Sequence, residues 1–80
     1  MTHKLKIDTG FFYAVTSGRK TFEIRQNDRG YAVGDRLLLQ EYATNLGVYI
    51  GGEILVEVTY ITGYGQPEGQ VVMAIKKVVP

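Results

Sequence analysis

The sequence predicts an α+β fold that is mostly β: about five strands in a largely antiparallel sheet, curling into a barrel, with one main helix after the first strand. Three observations carry this. Apolar and polar residues alternate in several short segments, a single early stretch has helical spacing, and Gly, Asn, Asp and Pro punctuate the chain at close intervals. At 80 residues there is room for one hydrophobic core, so residues 1–80 are expected to form a single domain.

The elements follow in order. "HKLKI" alternates, with Leu5 and Ile7 on one side and Lys4 and Lys6 on the other, and reads as the first strand. Asp8 or Thr9 then offers an N-cap oxygen to a helix over "GFFYAVTS", with Phe11, Ala14 and Val15 at helical spacing. Gly18 stands where that helix would end in a left-handed residue. "KTFEIR" alternates again, Phe22 and Ile24 facing one way and Thr21, Glu23 and Arg25 the other. "NDRGYAVGD" reads as a turn, "RLLLQEY" as a strand, and "NLGVYIGG" as a second loop. "EILVEVTYIT" is the longest β-branched run, its alternation putting Ile54, Val56, Val58 and Tyr60 on one face. "GYGQPEG" turns the chain into a last strand, "QVVMAIKKV".

Composition narrows the chemistry. Apolar residues make up 45% of the chain, which argues for a folded core. With no cysteine, disulfides, thiolate metal ligands and a thiol nucleophile are excluded, and a reducing cytoplasm is the expected location. No segment approaches membrane-spanning length, so no membrane partner is expected. His3 is the only histidine. A solvated imidazole near the terminus is its expected state, and neither a metal nor a cofactor is expected. The net charge of +1 conceals a division: residues 1–36 carry +3, residues 37–75 carry −4, and Lys76 and Lys77 follow. Such segregation builds a basic face that attracts anions.

The densest charge lies in "SGRKTFEIR", residues 17–25. An exposed Glu23–Arg25 pair on a strand face is worth only about 0–1 kcal/mol and by itself signals nothing. The position is more telling, because the stretch joins a helix end to a strand at what would be the mouth of a small barrel. There Arg25 could grip a phosphate or base edge bidentately, Glu23 could orient it, and Lys20 and Arg19 could add charge.

"GRKTFEIR" resembles the G-x-K-x-x-E-x-R signature of the ASCH (activating signal cointegrator homology) domain, a relative of the PUA domain, through Gly18, Lys20, Glu23 and Arg25. The likeness continues through "LKI", "FFYAVTSG", "YAVGDRLLLQEY", "GEILVEVTYIT" and "GQVVMAIKKV", and is closest to a compact prokaryotic and phage subgroup without an assigned function. It implies a PUA-like pseudo-barrel whose cleft, between helix and barrel, binds RNA or a nucleotide-like ligand. Lys20, Glu23 and Arg25 would line that cleft and Gly18 would shape the turn into it. Lys6 could extend a phosphate track, and Tyr31, Tyr49 and Tyr64, in loop-like segments, could stack on unpaired bases. Tyr13 and Tyr60 are expected to pack in the core or at its rim.

Two other functions compete. Some small ASCH-like proteins are amidohydrolases acting on acetylated cytidine, and that likeness would assign Lys20, Thr21 and Glu23 to catalysis. The chain departs from it by carrying Glu23 where those enzymes have threonine, and Glu68 alone where they insert a helix with a glutamate. An ion pair with Glu23 would also hold Lys20 as the ammonium, the wrong form for a base. The third possibility is a protein-interaction module whose basic edge meets an acidic partner, for which no amphipathic helix speaks. Binding of RNA or a nucleotide ranks first.

Overall fold

In the computed structural model, which describes residues 1–79, the chain runs β1 (Thr2–Asp8), α1 (Thr9–Thr16), β2 (Phe22–Gln26), β3 (Arg36–Ala43), β4 (Val48–Thr62) and β5 (Gln70–Lys77). The strands form one sheet in the order β1-β3-β4-β5-β2, with β1 parallel to β3 and every other pair antiparallel. The sheet curls into a half-barrel whose open side lies between its two edge strands, β1 and β2. No helix among the described residues is long and apolar enough to cross a membrane.

The core fills the concave side. Leu37 and Leu39 of β3, Val56 and Val58 of β4 and Met73 of β5 are fully buried, and Leu5, Ile7, Phe12, Val15 and Ile75 close around them. Asp8 caps α1, its carboxylate accepting from the Gly10 amide at 3.4 Å. The helix buries Phe12 and Val15 and turns Phe11 outward, 59% exposed, so the apolar stripe is shifted by one residue from the expected Phe11–Ala14–Val15 face. With only eight residues in α1, an error of one position redirects the stripe by about 100°.

Three further expectations are corrected. The segment 48–52 is the beginning of β4, paired with β3 through Tyr42↔Tyr49 and Ala43↔Val48, so the β3–β4 hairpin projects where a loop was expected. Tyr60 does not share the face of Val56 and Val58. The register slips by one residue between Val58 and Tyr60, which leaves Thr59 as an extra residue, sends Tyr60 outward at 63% exposure and turns Ile61 toward the core. His3 is not solvated either. It is 6% exposed, and its Nε2–H donates to Asp35 Oδ2 at 2.9 Å, the carboxylate being able only to accept. Asp35 also accepts from the Ala32 amide at 3.1 Å, and the His3 bond is the main reason its carboxyl is held below the usual carboxylate range.

Candidate functional site

The site begins at the helix end. Gly18 takes φ +82°, where a Cβ would be strained, and reverses the chain after the Ser17 cap. The amides of Arg19 and Lys20 both donate to the Ala14 carbonyl, at 3.0 and 2.9 Å, so the motif lysine is tied to α1 before β2 begins.

β2 is inverted relative to an ordinary amphipathic strand. Its apolar residues Phe22 and Ile24 are 42% and 46% exposed, while Glu23 between them is 3% exposed and stands opposite the fully buried Met73 of β5. A buried carboxylate is costly unless paired and hydrogen-bonded. Glu23 is both. Its Oε1 accepts from the Lys20 ammonium, and its Oε2 accepts from Arg25 Nε at 2.9 Å. Lys20 also donates to the Phe22 carbonyl at 2.7 Å, and its ammonium lies 4.9 Å from the Phe22 ring centre and 5.5 Å from that of Phe11.

Arg25 uses a second nitrogen to reach across the open side: Nη2 donates to the Lys6 carbonyl of β1 at 2.7 Å. Farther along, Arg29 Nη1 donates to the Lys4 carbonyl at 3.2 Å. Guanidinium groups thus satisfy β1 carbonyls that a neighbouring strand would otherwise take. Arg25 Nη1 has no partner among the described residues.

These groups wall a cavity of about 470 Å³ between β1, the start of α1 and β2. Lys6, Lys20, Glu23 and Arg25 line it, with Phe11, Phe22 and Ile24 around its mouth. Its other carboxylate, Asp8, accepts from the Thr44 hydroxyl at 2.6 Å, the main cause of its lowered pKa. The triad of Glu23, Lys20 and Arg25 keeps one uncompensated positive charge.

The structure gathers Lys6, Lys20, Glu23 and Arg25, with Gly18 forming the turn, and leaves other candidates elsewhere. Lys6 contributes its carbonyl to Arg25 and rests its ammonium 4.5 Å over the Tyr42 ring. Arg19 is exposed and donates to Ser17 Oγ. Tyr31 is no stacking platform: it is 7% exposed and packs edge-on against His3 at 4.9 Å. That burial raises its phenol pKa, partly opposed by the charges of Arg25 and Arg29. Thr21 lines a different cavity from Glu23, with Lys20 common to both, and Glu68 is exposed in the β4–β5 turn.

Sequence reasoning missed Phe11 and Ile24 at the rim, since apolar residues at regular spacing read as core. It also missed Arg29 at the seam. Glu41, 4% exposed against Phe12 and Gly52, was detectable only as the continuation of the inward Leu37–Leu39 register.

Residues 2–75 match the model of the family described as "Domain of unknown function (DUF3850)", and the chain belongs to that family. It is also 35% identical over 60 residues to an uncharacterized 12.9 kDa protein in the GpA 3'region of Escherichia phage P2. That match covers 75% of this chain and 53% of the phage protein, so the chain spans about half the length of that relative.

Proposed function

We propose that this DUF3850 domain binds single-stranded RNA, or a nucleotide-like fragment of it, in the cleft between α1, β1 and β2. The observation that carries the reading is Glu23, a carboxylate 3% exposed that holds Lys20 and Arg25 side by side at the wall of an open cavity of about 470 Å³. A buried ion triad adds little stability over apolar side chains of the same volume. Its presence in a concavity with few other polar groups therefore supports a binding role.

Glu23 serves orientation, because each carboxylate oxygen already has a cation on it. Arg25 Nη1, the second Nη2–H and the remaining Lys20 proton are the donors left for a phosphate or a base carbonyl. Phe11, Phe22 and Ile24 supply flat apolar surface suited to a base. The resemblance to ASCH domains, and through them to the PUA-like class, points the same way. Catalysis on an acylated cytidine is less well supported: Thr21 and Glu23 face different cavities, and the Lys20 ammonium donates to a carboxylate and a carbonyl.

The test is titration of short single-stranded RNAs by fluorescence anisotropy at several salt concentrations. Wild type should show affinity falling with salt, with a logarithmic slope of about −0.7 for each phosphate neutralised. Lys20→Ala and Arg25→Ala should bind more weakly with a shallower slope. Unchanged affinity in both variants, or a flat salt response, overturns the reading. Deacylation of an N4-acylated cytidine that disappears in Lys20→Ala would replace binding with catalysis.

A further inference from the structure

We infer that the cleft is one end of a longer track, along which a single-stranded RNA passes over Lys20 and onto the outer face of β2, β5 and β4. The inference rests on the RNA reading of the cleft and adds a second phosphate site and a stacking slot to it.

The phosphate site is a second cavity, of about 330 Å³, on the other side of Lys20. Lys20, Lys76 and Lys77 line it with Thr21, over a floor that includes Val15 and Ile75, and no carboxylate is among its lining residues. Lys77 donates to the Thr16 carbonyl at the end of α1, whereas the Lys76 ammonium has no hydrogen-bond partner among the described residues. Glu57 stands opposite Lys76 in the β4–β5 ladder, but its ion pair is with Arg36, at 4.0 Å. Lys20 is shared by both cavities, so a chain of phosphates crossing it meets Arg25 on one side and Lys76 on the other.

The slot lies on the outer face of the sheet, which Lys76 shares with Ala74 two residues before it on β5. Phe22, Ala74 and Tyr60 are in direct register across three adjacent strands, and all three are on the outer face. Tyr60 is there only because the Thr59 bulge reverses the alternation of β4, and bulges are a recurrent means of re-aiming a side chain. Two strand spacings separate the rings, roughly 10 Å, with only a methyl group between them. Two exposed rings, Phe22 at 42% and Tyr60 at 63%, thus flank a small residue on the outer face, and these three residues are the proposed slot for a planar group.

One ligand class satisfies both features. Unpaired bases offer π faces to Phe22 and Tyr60 while their phosphates neutralise the lysines. A second copy packed on this face about a two-fold axis would set the same lysines against each other.

The experiment compares a single-stranded RNA octanucleotide with a dinucleotide, the first long enough for cleft and slot and the second confined to the cleft. Wild type, Tyr60→Ala, Lys76→Gln and Arg25→Ala are titrated with each. Both Tyr60 and Lys76 are exposed, so their replacement leaves the core intact. Tyr60→Ala should weaken octanucleotide binding about tenfold. Lys76→Gln should make its salt slope shallower by about 0.7. Dinucleotide binding should be unchanged in both.

Octanucleotide binding indifferent to Tyr60 and Lys76, with Arg25→Ala still impairing both ligands, overturns the track and leaves the cleft reading standing. Failure of wild type to bind either ligand overturns both. A Tyr60→Ala protein that changes its self-association but not its RNA affinity makes this face a contact between copies, which also overturns the track.

Discussion

The Arg25 guanidinium donates to the Lys6 carbonyl at 2.7 Å while its Nε holds Glu23 at 2.9 Å, so one side chain joins the buried carboxylate of β2 to the backbone of β1. The half-barrel is open between these strands, and the side chain does there what a ladder of backbone bonds does elsewhere in the sheet. Only a planar fork can serve both partners at once, and a lysine at this position keeps the charge but not the geometry. Arg25→Lys should therefore lose about 1–2 kcal/mol. Calorimetry should find the thermal midpoint lower by several degrees, and an unshifted midpoint would show that the bridge carries no stability.

Glu23 is the hinge of the triad, and its neutralisation should be more damaging than loss of either cation. Glu23→Gln keeps the shape but leaves Lys20 and Arg25 adjoining without a counter-charge, at a cost of about 3 kcal/mol. Adding Lys20→Met should recover part of that loss, since the apolar side chain can lie against Phe11 and Phe22. A chemical-denaturation cycle over the four proteins measures the coupling. Strict additivity would mean that the two residues do not act as a unit.

Gly52 is required by close approach rather than by its backbone angles. A Cβ there would lie 2.5 Å from Glu41 Oε1 and 2.9 Å from the Phe12 ring, both side chains buried. Gly52→Ala should destabilise the fold by about 1–3 kcal/mol, as overpacking does. Gly10→Ala meets nothing nearer than Asp8 Oδ2 at 3.8 Å and should be tolerated. Equal urea midpoints for the two variants would contradict this.

Acid should weaken the protein through Asp35. Its carboxyl is held below the ordinary value, chiefly by the His3 hydrogen bond, with the Ala32 amide and the N-terminal ammonium assisting. A carboxylate with a folded pKa below its unfolded one contributes stability in full above about pH 4, and loses it as pH falls through the folded value. Between pH 6 and 2, denaturation midpoints of wild type should fall more steeply than those of Asp35→Asn. Parallel curves would remove Asp35 from the acid response.

Periodicity made most of the fold legible, because strands with one buried face announce it. β1 lies where alternation put it, β3 and β5 lie on the apolar segments read as strands between turns, and the motif glycine ends α1 as its lack of a Cβ suggests. Local pattern failed where the tertiary arrangement departed from it. The Thr59 bulge reversed Tyr60, the short helix turned Phe11 outward, and Asp35 drew His3 inside. The gathering of Lys20, Glu23 and Arg25 was implied by the resemblance of residues 18–25 to the ASCH signature, whereas charge pattern alone pointed to an exposed surface pair. The exposure of Phe22 and Ile24 was not readable, since two apolar residues alternating with charged ones ordinarily mark the inward face.

The strand order also fixes a sequence of assembly. Partners in β3–β4 and β4–β5 are at most 21 residues apart, whereas those in β1–β3 are 34 apart and those in β2–β5 are 44 to 52 apart. Loop closure favours the central meander first, with the two outermost strands docking late. The cleft is made from those late arrivals, so it forms last and opens first. Amide protons of β2 should exchange with solvent by partial openings that leave the leucine-rich middle of the sheet protected. A guest seated between β1 and β2 would then slow that exchange, acting as the missing sixth strand of an otherwise unfinished cylinder.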